Sequence, residues 1–575
     1  MLNSKNTKTR TSFKFNRNNI LSYIIIMLFS ILLIRLIYIQ IYLHEKINNI
    51  VKKMILCKDI ELSKRGNILD CRGRVLATSV KKYSIFIDPT IIKNFNKIKD
   101  GLLKIGIKIN NLSKYSSSNK AYIPILHNVD LNTISKIRNM KLRGIGFESR
   151  YIRQYPEGKL LSHILGITDI YGNGVEGIEK ICNRWLIGEN IEEKKWRDGR
   201  GNIILDKHID KSKKQGCNVR LCINTTIQYI VEQELRHAME KYKAKKAICI
   251  VQNPINGNIL AMVSLPDFNP SYKISNIKIL KNSAISDMYE PGSTFKVVTI
   301  SAALDKDIIR TKDHFYVKNE KFKIFGHIIK DHNMINKNCI SLSKAIEQSS
   351  NIIMIKIANK IGSKYFYHYI RKFGFHSLTG IDLPGEIRGM LVNLENWNSL
   401  SMPTISFGQG IGVTPIQIIN AFSAIANNGV LMKPLIIKSI ENKNNEKFNN
   451  LIFKPRKIRR VISKKTAILM KNLLKNVVDF GTGKKAKIKG YSVGGKTGTS
   501  QKIDNLTGTY SKKCYIASFC GMIPAINPKI VILVIIDEPK GKYYASYVAS
   551  PLFAKIAEKV IKYLKIKQDE NNYNN

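Results

Sequence analysis

The stretch GYSVGGKTGTS, residues 490–500, fits the pattern of a phosphate-binding loop and also contains the triplet Lys496-Thr497-Gly498, a signature of serine acyltransferases. The two patterns predict different folds, so the stretch decides between them. Its glycines and the Lys496-Thr497 pair satisfy G-x-x-x-x-G-K-[ST], the pattern of a phosphate-binding loop. Such a loop needs a hydrophobic strand before it and a helix after it, because the helix N-terminus holds the phosphates. Here AKIK precedes Gly490, and no apolar residues at helical spacing follow Thr497. The sequence therefore predicts an extended strand and no nucleotide site.

The surrounding sequence predicts a sheet flanked by helices. Periodicity and turn signals predict a helix over Thr225–Tyr242, a hairpin over Ala247–Ser264, strands over Cys514–Met522 and Lys529–Asp537, and a closing helix over Val548–Leu564. A hairpin early, helices between and strands late suit an antiparallel sheet packed against helices.

A candidate nucleophile lies in EPGSTFKVVTISAAL, residues 290–304. Pro291-Gly292 breaks the chain before a run with helical spacing, so Ser293 falls at a helix start and Lys296 lies one turn later. This spacing places the amine beside the hydroxyl, as a serine nucleophile requires of its base. Burial near other cations would lower the lysine pKa so that it can accept a proton. The same residues also fit a plain serine cap and a solvated lysine.

Two further segments can complete an acyl-transfer site. Ser349 offers a second hydroxyl for proton relay, and Asn351 offers an amide for the substrate backbone. The strand Lys496-Thr497-Gly498-Thr499 is predicted at the site edge: Lys496 for a substrate carboxylate, and Gly498 where substrate lies close. The amides of Ser293 and Thr499 can form an oxyanion hole.

One membrane anchor is predicted near the N-terminus. Residues Ile20–Tyr42 form an almost wholly apolar run of the length that spans a bilayer. The preceding tail is basic without an acidic residue, which favours a cytoplasmic N-terminus and an exported remainder. No small-residue cleavage site follows the run, so we interpret it as an uncleaved anchor rather than a signal peptide.

The composition of the chain argues against a nucleic-acid-binding protein, a metal site and a disulfide scaffold. The chain has 575 residues and a formal net charge of +52, but its lysines are spread evenly and accompany abundant Ile and Asn. No zinc-finger or RNA-binding motif accompanies them, so we interpret the charge as solvated surface and expect no nucleic-acid partner. The nine cysteines form no C-x-x-C pair, and neither a metal site nor a disulfide scaffold is indicated.

With its motifs in this order, the sequence resembles the class B penicillin-binding proteins, and among them the cell-division peptidoglycan transpeptidases. The resemblance covers about residues 20–565 and includes the blocks Arg65–Ser79, Arg153–Glu179, Phe373–Glu386, Ser406–Gln417, Gly481–Thr499 and Gly541–Ser546. Departures are small: Cys71 stands where the family usually has a basic residue, and Asn253 where an aspartate is usual.

The resemblance implies an α+β fold in which a transpeptidase domain, similar to serine β-lactamases, follows a transmembrane helix and an extended β-containing pedestal. We assign residues 1–19 to a cytoplasmic tail, 20–42 to the anchor, 43–224 to the pedestal (the dimerisation-type domain), 225–565 to the transpeptidase domain and 566–575 to a disordered tail.

The resemblance also implies the chemistry and the place of action. Ser293, with Lys296, Ser349 and Asn351, would take the acyl group of a D-Ala-D-Ala stem peptide and pass it to a neighbouring amine, without a cofactor. The expected location is the bacterial inner membrane at the division septum, with a periplasmic catalytic domain and partners that include a septal glycan polymerase. The third residue of Ser349-Ser350-Asn351 favours the division type, because elongation-type relatives usually have aspartate there. An elongation enzyme, a serine β-lactamase, a β-lactam sensor and an idle scaffold are the alternatives.

Overall fold

The computed structural model describes residues 17–61, 63–108, 115, 118, 120–188, 191–197, 203–205, 215–317, 322–324, 327–331, 339–442, 449–504 and 507–570. The chain divides into two compact units. One comprises Met1–Leu62 with Asn190–Lys211, and the other Ser63–Glu189 with Ser212–Asn575. Most of the basic N-terminal tail and residues 571–575 lie outside the described residues.

Fifteen α-helices and β-strands of the described residues lie between residues 17 and 221. They are α1 (Arg17–Ile37), α2 (His44–Ile55), β1 (Leu56–Glu61), β2 (Ile68–Leu69), β3 (Val75–Ile87), α3 (Phe95–Lys104), β4 (Ile123–Val129), α4 (Leu131–Asn139), β5 (Ile145–Gln154), α5 (Ser162–Leu165), α6 (Gly177–Ile181), α7 (Asn183–Leu186), β6 (Ile191–Arg197), β7 (Ile203–Leu205) and β8 (Asn218–Leu221).

The first unit contains the predicted anchor. Helical structure continues from α1 through a π-helical turn at Tyr38–Tyr42. The span Asn18–Tyr42 is long and apolar enough to cross a membrane by length and composition. Its large apolar side chains are exposed, as those of a helix that packs against lipid would be. In the same unit β6 pairs with both β1 and β7 in an antiparallel sheet.

A longer set of C-terminal helices and strands also belongs to the second unit. It consists of α8 (Thr225–Lys241), β9 (Lys246–Gln252), β10 (Ile259–Leu265), α9 (Ser283–Ser286), α10 (Lys296–Asp305), β11 (His314–Tyr316), β12 (Phe322–Ile324), β13 (His327–Ile329), β14 (Cys339–Ser341), α11 (Leu342–Glu347), α12 (Asn351–Ile361), α13 (Ser363–Lys372), α14 (Ser401–Ser406), α15 (Pro415–Ala426), β15 (Val430–Met432), β16 (Ile437–Glu441), β17 (Leu451–Ile452), β18 (Lys457–Arg460), α16 (Lys464–Asp479), β19 (Gly494–Ile503), β20 (Tyr510–Ile523), β21 (Ile530–Asp537) and α17 (Ala549–Tyr563).

A five-stranded antiparallel sheet forms the centre of this set, in the order β10-β9-β21-β20-β19. Helices α8 and α17 pack on one face, and α10, α12, α15 and α16 contribute to the core on the other. The predicted helices, hairpin and late strands are confirmed within a few residues. Because β19 is an edge strand, one of its sides pairs with no other strand of the described residues along the Lys496–Thr499 motif.

A second, mixed sheet joins strands that lie far apart in the sequence. Its order is β17-β16-β8-β2-β3-β4, with β5 also paired to β3. In it Ile437 of β16 pairs with Leu221 of β8, across the predicted boundary between residues 224 and 225. The sheet is therefore shared between the predicted pedestal and transpeptidase segments, and the boundary itself stays a prediction.

A buried ion-pair group joins two of the family-like blocks in the pedestal. Glu179 is fully buried and accepts from Arg65 Nε at 2.7 Å and from Arg153 Nε at 2.6 Å. Arg153 also donates to the carbonyl of Gly66 at 2.7 Å. A carboxylate removed from water is stabilised only when both oxygens find partners, and here both do.

The C-terminal residues contact the transpeptidase segment. The sequence predicts a disordered tail from residue 566, whereas Asp569 accepts from the backbone N–H of Ser492 at 2.9 Å and Lys475 pairs with Glu570 at 3.0 Å. The composition of the tail predicts disorder, but these polar contacts hold residues 566–570 against the turn before β19.

Candidate active site

Ser293 lies in the first turn of the helical segment, as predicted. Gly292 has a φ of +54°, which glycine adopts without strain, and a 3₁₀ turn over Gly292–Phe295 leads directly into α10. Thr294 donates its hydroxyl to the carbonyl of Pro291 at 2.8 Å and fixes the turn. Ser293 therefore lies in this turn at the edge of a cavity.

Strand β19 lies against this turn because Gly498 has no side chain. A Cβ at Gly498 would lie 2.8 Å from the carbonyl oxygen of Pro291 and 2.9 Å from Cγ2 of Thr294. The sequence predicts that this glycine makes room for substrate. In the structure it permits the approach of the Ser293 turn, since the space is already filled by protein atoms.

Lys296 is fully buried and contacts Ser349 and Asn351. Its Nζ donates to the carbonyl of Ser349 at 2.6 Å, to the Ser349 hydroxyl at 3.2 Å and to Asn351 Oδ1 at 2.7 Å. Ser293 Oγ makes no hydrogen bond to any residue that the structure describes, so the contact expected between Ser293 and Lys296 is not formed here. Catalytic hydrogen bonds in ligand-free sites are often long and tighten only when substrate binds.

The turn between α11 and α12 presents Ser349 to the lysine. Ser349 has a φ of +60°, in the left-handed region that non-glycine residues rarely adopt. Such a conformation costs on the order of 1 kcal/mol and persists only where its surroundings hold it. The Ser350 hydroxyl caps α12 by accepting from the N–H of Ile353 at 3.2 Å.

Lys496 completes the group from β19. It is fully buried, and its Nζ donates to the Ser349 hydroxyl at 2.9 Å and to the carbonyl of Thr497 at 3.1 Å. The structure thus brings together Lys296, Ser349, Asn351 and Lys496, whose proximity the sequence predicted only through the resemblance. No helix follows Lys496 before Ile503, which removes the structural basis for a phosphate-binding loop.

Burial of Lys296 and Lys496 disfavours the protonated, charged form of both side chains. Burial lowers the pKa of Lys296 well below its usual value, the charge of Lys496 lowers it further, and Asp331 opposes the shift. Burial lowers the pKa of Lys496 to about 7. A neutral amine near pH 7 can take a proton from a hydroxyl, which a solvated lysine cannot do. The alternative of a serine cap beside a solvated lysine is therefore wrong.

A cavity of about 940 Å³ opens over this group. Of the proposed site residues, Ser293, Ser349, Asn351, Thr497 and Thr499 line it. Its rim also includes residues that no sequence motif had singled out, among them Ile328, Lys330, Gln409, Thr482 and Tyr544. Gln409, Thr482 and Tyr544 lie within the family blocks Ser406–Gln417, Gly481–Thr499 and Gly541–Ser546, which is the signal that could have identified them.

Asp331 is a further residue that the sequence patterns did not indicate. Its carboxylate accepts from the Ser350 hydroxyl and from two backbone N–H groups at the start of α12. No local pattern marks it, because it lies about 20 residues before the helix that it contacts.

Among the residues that the structure describes, no three His, Cys, Asp or Glu side chains are grouped as metal ligands. The absence of a cofactor stays a prediction.

Comparison with known families matches two domain models to the chain. The model of the penicillin-binding protein transpeptidase domain matches residues 247–558, and that of the penicillin-binding protein dimerisation domain matches residues 60–221. The first of these matches more than half of the chain.

Individual proteins match over nearly the whole length. The peptidoglycan D,D-transpeptidase FtsI of Buchnera aphidicola subsp. Schizaphis graminum is 34% identical over 95% of this chain and 94% of that protein. Stage V sporulation protein D of Bacillus subtilis is 32% identical over 95% of this chain and 85% of its own length. The crystal structure of a peptidoglycan synthetase from Bifidobacterium adolescentis superimposes with a TM-score of 0.71 at 26% identity, covering 90% of this chain and 98% of that one. With its α+β transpeptidase fold behind a dimerisation domain, the chain belongs to the class B penicillin-binding proteins.

Proposed function

We propose that this protein is a serine peptidoglycan D,D-transpeptidase that cross-links stem peptides of the cell wall through an acyl-enzyme on Ser293. The observation that carries the proposal is the hydrogen-bonded group of Lys296, Ser349 and Lys496, buried beside the cavity that Ser293 lines. Two buried lysine side chains that donate to one hydroxyl contribute little to the stability of the fold, because each ammonium group loses its hydration on burial. They suit a site that must hold and move protons.

In the first half-reaction, Ser293 Oγ attacks the carbonyl carbon of the penultimate D-alanine. The neutral amine of Lys296 takes the hydroxyl proton, and the tetrahedral oxyanion is stabilised by the backbone N–H groups of Ser293 and Thr499. The C–N bond then breaks, and the terminal D-alanine leaves with a proton that Ser349 relays from the lysines. The peptide remains as an ester on Ser293.

In the second half-reaction, an amine of a neighbouring stem peptide attacks the ester carbonyl. Lys296 again accepts the proton released as the new amide bond forms, and Ser293 Oγ regains a proton as it leaves. The cavity of about 940 Å³ is large enough for a peptide chain on each side of the serine. The chemistry needs no cofactor.

The strand Lys496-Thr497-Gly498-Thr499 supplies substrate binding in this scheme. The free side of β19 can pair with the extended donor peptide, and Thr497 and Thr499 line the cavity where its terminal carboxylate would lie. In its protonated form Lys496 provides a positive charge behind them, and Asn351 offers its side-chain amide to the peptide backbone.

We also propose that the protein acts at the division septum from the inner membrane. The apolar helix Asn18–Tyr42 would cross the membrane once, with the N-terminus in the cytoplasm and the catalytic domain in the periplasm. Support comes from the division-type asparagine at the end of Ser349-Ser350-Asn351 and from relatives named FtsI. The anchor and the pedestal would contact a multi-span septal glycan polymerase and other division proteins.

Labelling with a fluorescent penicillin tests the proposal. A β-lactam mimics the donor peptide, so the full-length protein in detergent should retain a covalent label, and Ser293→Ala should retain none. Ser271→Ala, at an exposed position, serves as the matched control and should label normally. Label that persists in Ser293→Ala contradicts the assignment of the nucleophile.

The same reagent separates a transpeptidase from a serine β-lactamase. A β-lactamase would release the hydrolysed penicillin quickly and turn over repeatedly. The label on this protein should instead persist after excess reagent is removed, with one equivalent bound per chain.

A further inference from the structure

Asp331 joins the rim of the cavity to the start of α12. It follows the antiparallel β12–β13 pair, whose neighbouring residues Ile328, Ile329 and Lys330 line the cavity. Its Oδ1 accepts from the N–H of Asn351 and from that of Ile352, the latter at 3.1 Å. Its Oδ2 accepts from the hydroxyl of Ser350 at 2.6 Å. These three hydrogen bonds of the carboxylate all go to the segment that directly follows Ser349.

These contacts provide a hydrogen-bond acceptor for each of the first three N–H groups of α12. Asp331 takes the N–H groups of Asn351 and Ile352, while the Ser350 hydroxyl accepts from Ile353 and donates to Asp331. An anionic acceptor at a helix N-terminus is favourable, because free N–H groups and the helix dipole both point at it. The carboxylate thus helps to determine where α12 begins.

The same turn supplies the hydrogen-bond acceptors of Lys296. The lysine binds the carbonyl and hydroxyl of Ser349 and the side chain of Asn351, which flank Ser350 on either side. Backbone hydrogen bonds from Ser349 and Ser350 to α11 hold the left-handed conformation of Ser349 from one side, and Asp331 holds the residues that follow it. A displacement of this turn would therefore move all three acceptors together.

Asp331 also acts on Lys296 through its charge. Two charged groups influence the Lys296 ammonium: Lys496 from β19, which lowers the lysine pKa, and Asp331, which raises it. The groups of α12 that contact the ammonium are neutral. Loss of the Asp331 charge would leave burial and Lys496 unopposed, so the pKa of Lys296 would fall further.

We infer that Asp331 is a positioning residue for acyl transfer: its carboxylate holds the Ser349–Asn351 turn in the geometry that Lys296 needs and ties that turn to the cavity rim. The inference rests on the proposed function, since it assigns Asp331 a part in the same reaction. Among the described residues Asp331 makes no hydrogen bond to Ser293, and in this inference it acts through Ser350, Asn351 and Ile352.

Acylation kinetics of the full-length protein in detergent provide the test. The fluorescent penicillin is titrated to saturation at a series of pH values, which separates the binding constant from the acylation rate constant. Asp331→Asn keeps the size of the side chain but removes its charge and the acceptor for Ser350. We expect its acylation rate constant to fall about 10- to 100-fold, because a misplacement of about 1 Å can cost about 100-fold. Binding should change little, and the acidic midpoint of the rate profile should move to lower pH.

Two further variants separate the charge from the hydrogen bonds. Ser350→Ala removes one bond to Asp331 and leaves the charge, so it should slow acylation without moving the midpoint. Asp307→Asn is the matched control, because Asp307 is exposed and its ion-pair partner Lys465 lies 3.9 Å away. It should match the wild type in both rate and midpoint.

The outcomes separate this inference from the proposed function. If wild type labels at Ser293 and Asp331→Asn has an unchanged rate and midpoint, the inference is wrong and the proposed function stands. A slower Asp331→Asn with an unmoved midpoint and a lowered melting temperature indicates a merely structural role, which also overturns the inference. If wild type does not label at all, the proposed function fails, and the inference fails with it.

Discussion

Lys296 and Lys496 share one acceptor: their Nζ atoms lie 3.2 Å and 2.9 Å from the hydroxyl of Ser349. Two buried ammonium groups this close repel each other, so the pair loses a proton more readily than either lysine alone. Burial and the charge of Lys496 both lower the pKa of Lys296, whereas burial alone lowers the pKa of Lys496. In the proposed mechanism Lys296 is the base of the pair.

This coupling determines how acylation depends on pH. The rate should rise as pH increases through the pKa of Lys296, because only the neutral amine accepts the Ser293 proton. Lys496→Met removes the neighbouring charge that lowers this pKa, so the acidic midpoint should move to higher pH. The shift is opposite in sign to that expected for Asp331→Asn. Penicillin acylation rates across pH measure it, and Lys513→Met, at an exposed position on β20, is the control that should not shift.

Lys496 should also make stability depend on pH. Its pKa falls from 10.5 to about 7 on folding, so between these values the unfolded chain binds more protons and stability rises with pH. The free-energy cost of burying the charged Lys496 side chain is fully present below about pH 7, and it disappears as the pH approaches 10.5. Lys496→Met removes this cost, so its melting temperature should exceed that of wild type by several degrees at about pH 6.

The difference should shrink as the pH is raised to about 9, where folded Lys496 is already neutral. Thermal unfolding at both pH values, followed by circular dichroism, gives the comparison. A difference that is constant with pH would mean that Lys496 does not change its protonation between the two values in the folded protein.

Gly498 should be irreplaceable because of the turn that it faces. In Gly498→Ala the new methyl group would meet the Pro291 carbonyl at 2.8 Å and Thr294 at 2.9 Å, and the Ser293 turn must move away from β19. Overpacking of this kind costs about 1–3 kcal/mol. We expect a fall of roughly 100-fold in penicillin acylation, because a displaced nucleophile loses its alignment, with a modest loss of stability.

Gly494→Ala provides the control on the same strand. A Cβ there would have its nearest neighbours at 3.5 Å, which is ordinary van der Waals contact. This variant should label at close to the wild-type rate. Equal labelling of both alanine variants would show that the turn tolerates the displacement.

The buried Glu179 should be important for the stability of the pedestal. Glu179→Gln leaves Arg65 and Arg153 facing each other without a negative charge. Removal of one partner from a buried ion pair typically costs about 3–5 kcal/mol, because the remaining charge is uncompensated. Thermal unfolding should show a clear loss. Glu176→Gln, which removes an exposed partner of Lys180 at 3.8 Å, should change little.

The septal role can be tested in cells. Depletion of the protein, or its inhibition by a selective β-lactam, should give long cells that grow but do not constrict. A fluorescent fusion should collect at midcell. Round, widening cells with a dispersed signal would mark the protein as the elongation enzyme instead, since both types perform the same chemistry.

Local patterns were enough to predict the elements and the candidate nucleophile. The periodicity of Thr225–Tyr242 and the Asn256-Gly257 turn predicted α8 and the β9–β10 hairpin, because helix and hairpin formation depend on residues near in sequence. The break at Pro291-Gly292 placed Ser293 at a helix start for the same reason. The missing helical spacing after Thr497 was sufficient to exclude the phosphate-binding loop, because that loop depends on the helix that directly follows it.

Only the tertiary structure decided how these parts act together. Lys296 and Ser349 are 53 residues apart, and Ser349 and Lys496 are 147 apart, so no local spacing could show that they share hydrogen bonds. The role of Gly498 differed from the expectation because the atoms that fill its space belong to a distant turn. Burial lowers the pKa values of both lysines, and burial is a property of the packed core rather than of the neighbouring sequence. The sequence alone therefore determined which groups are available, while packing determined their protonation and their partners.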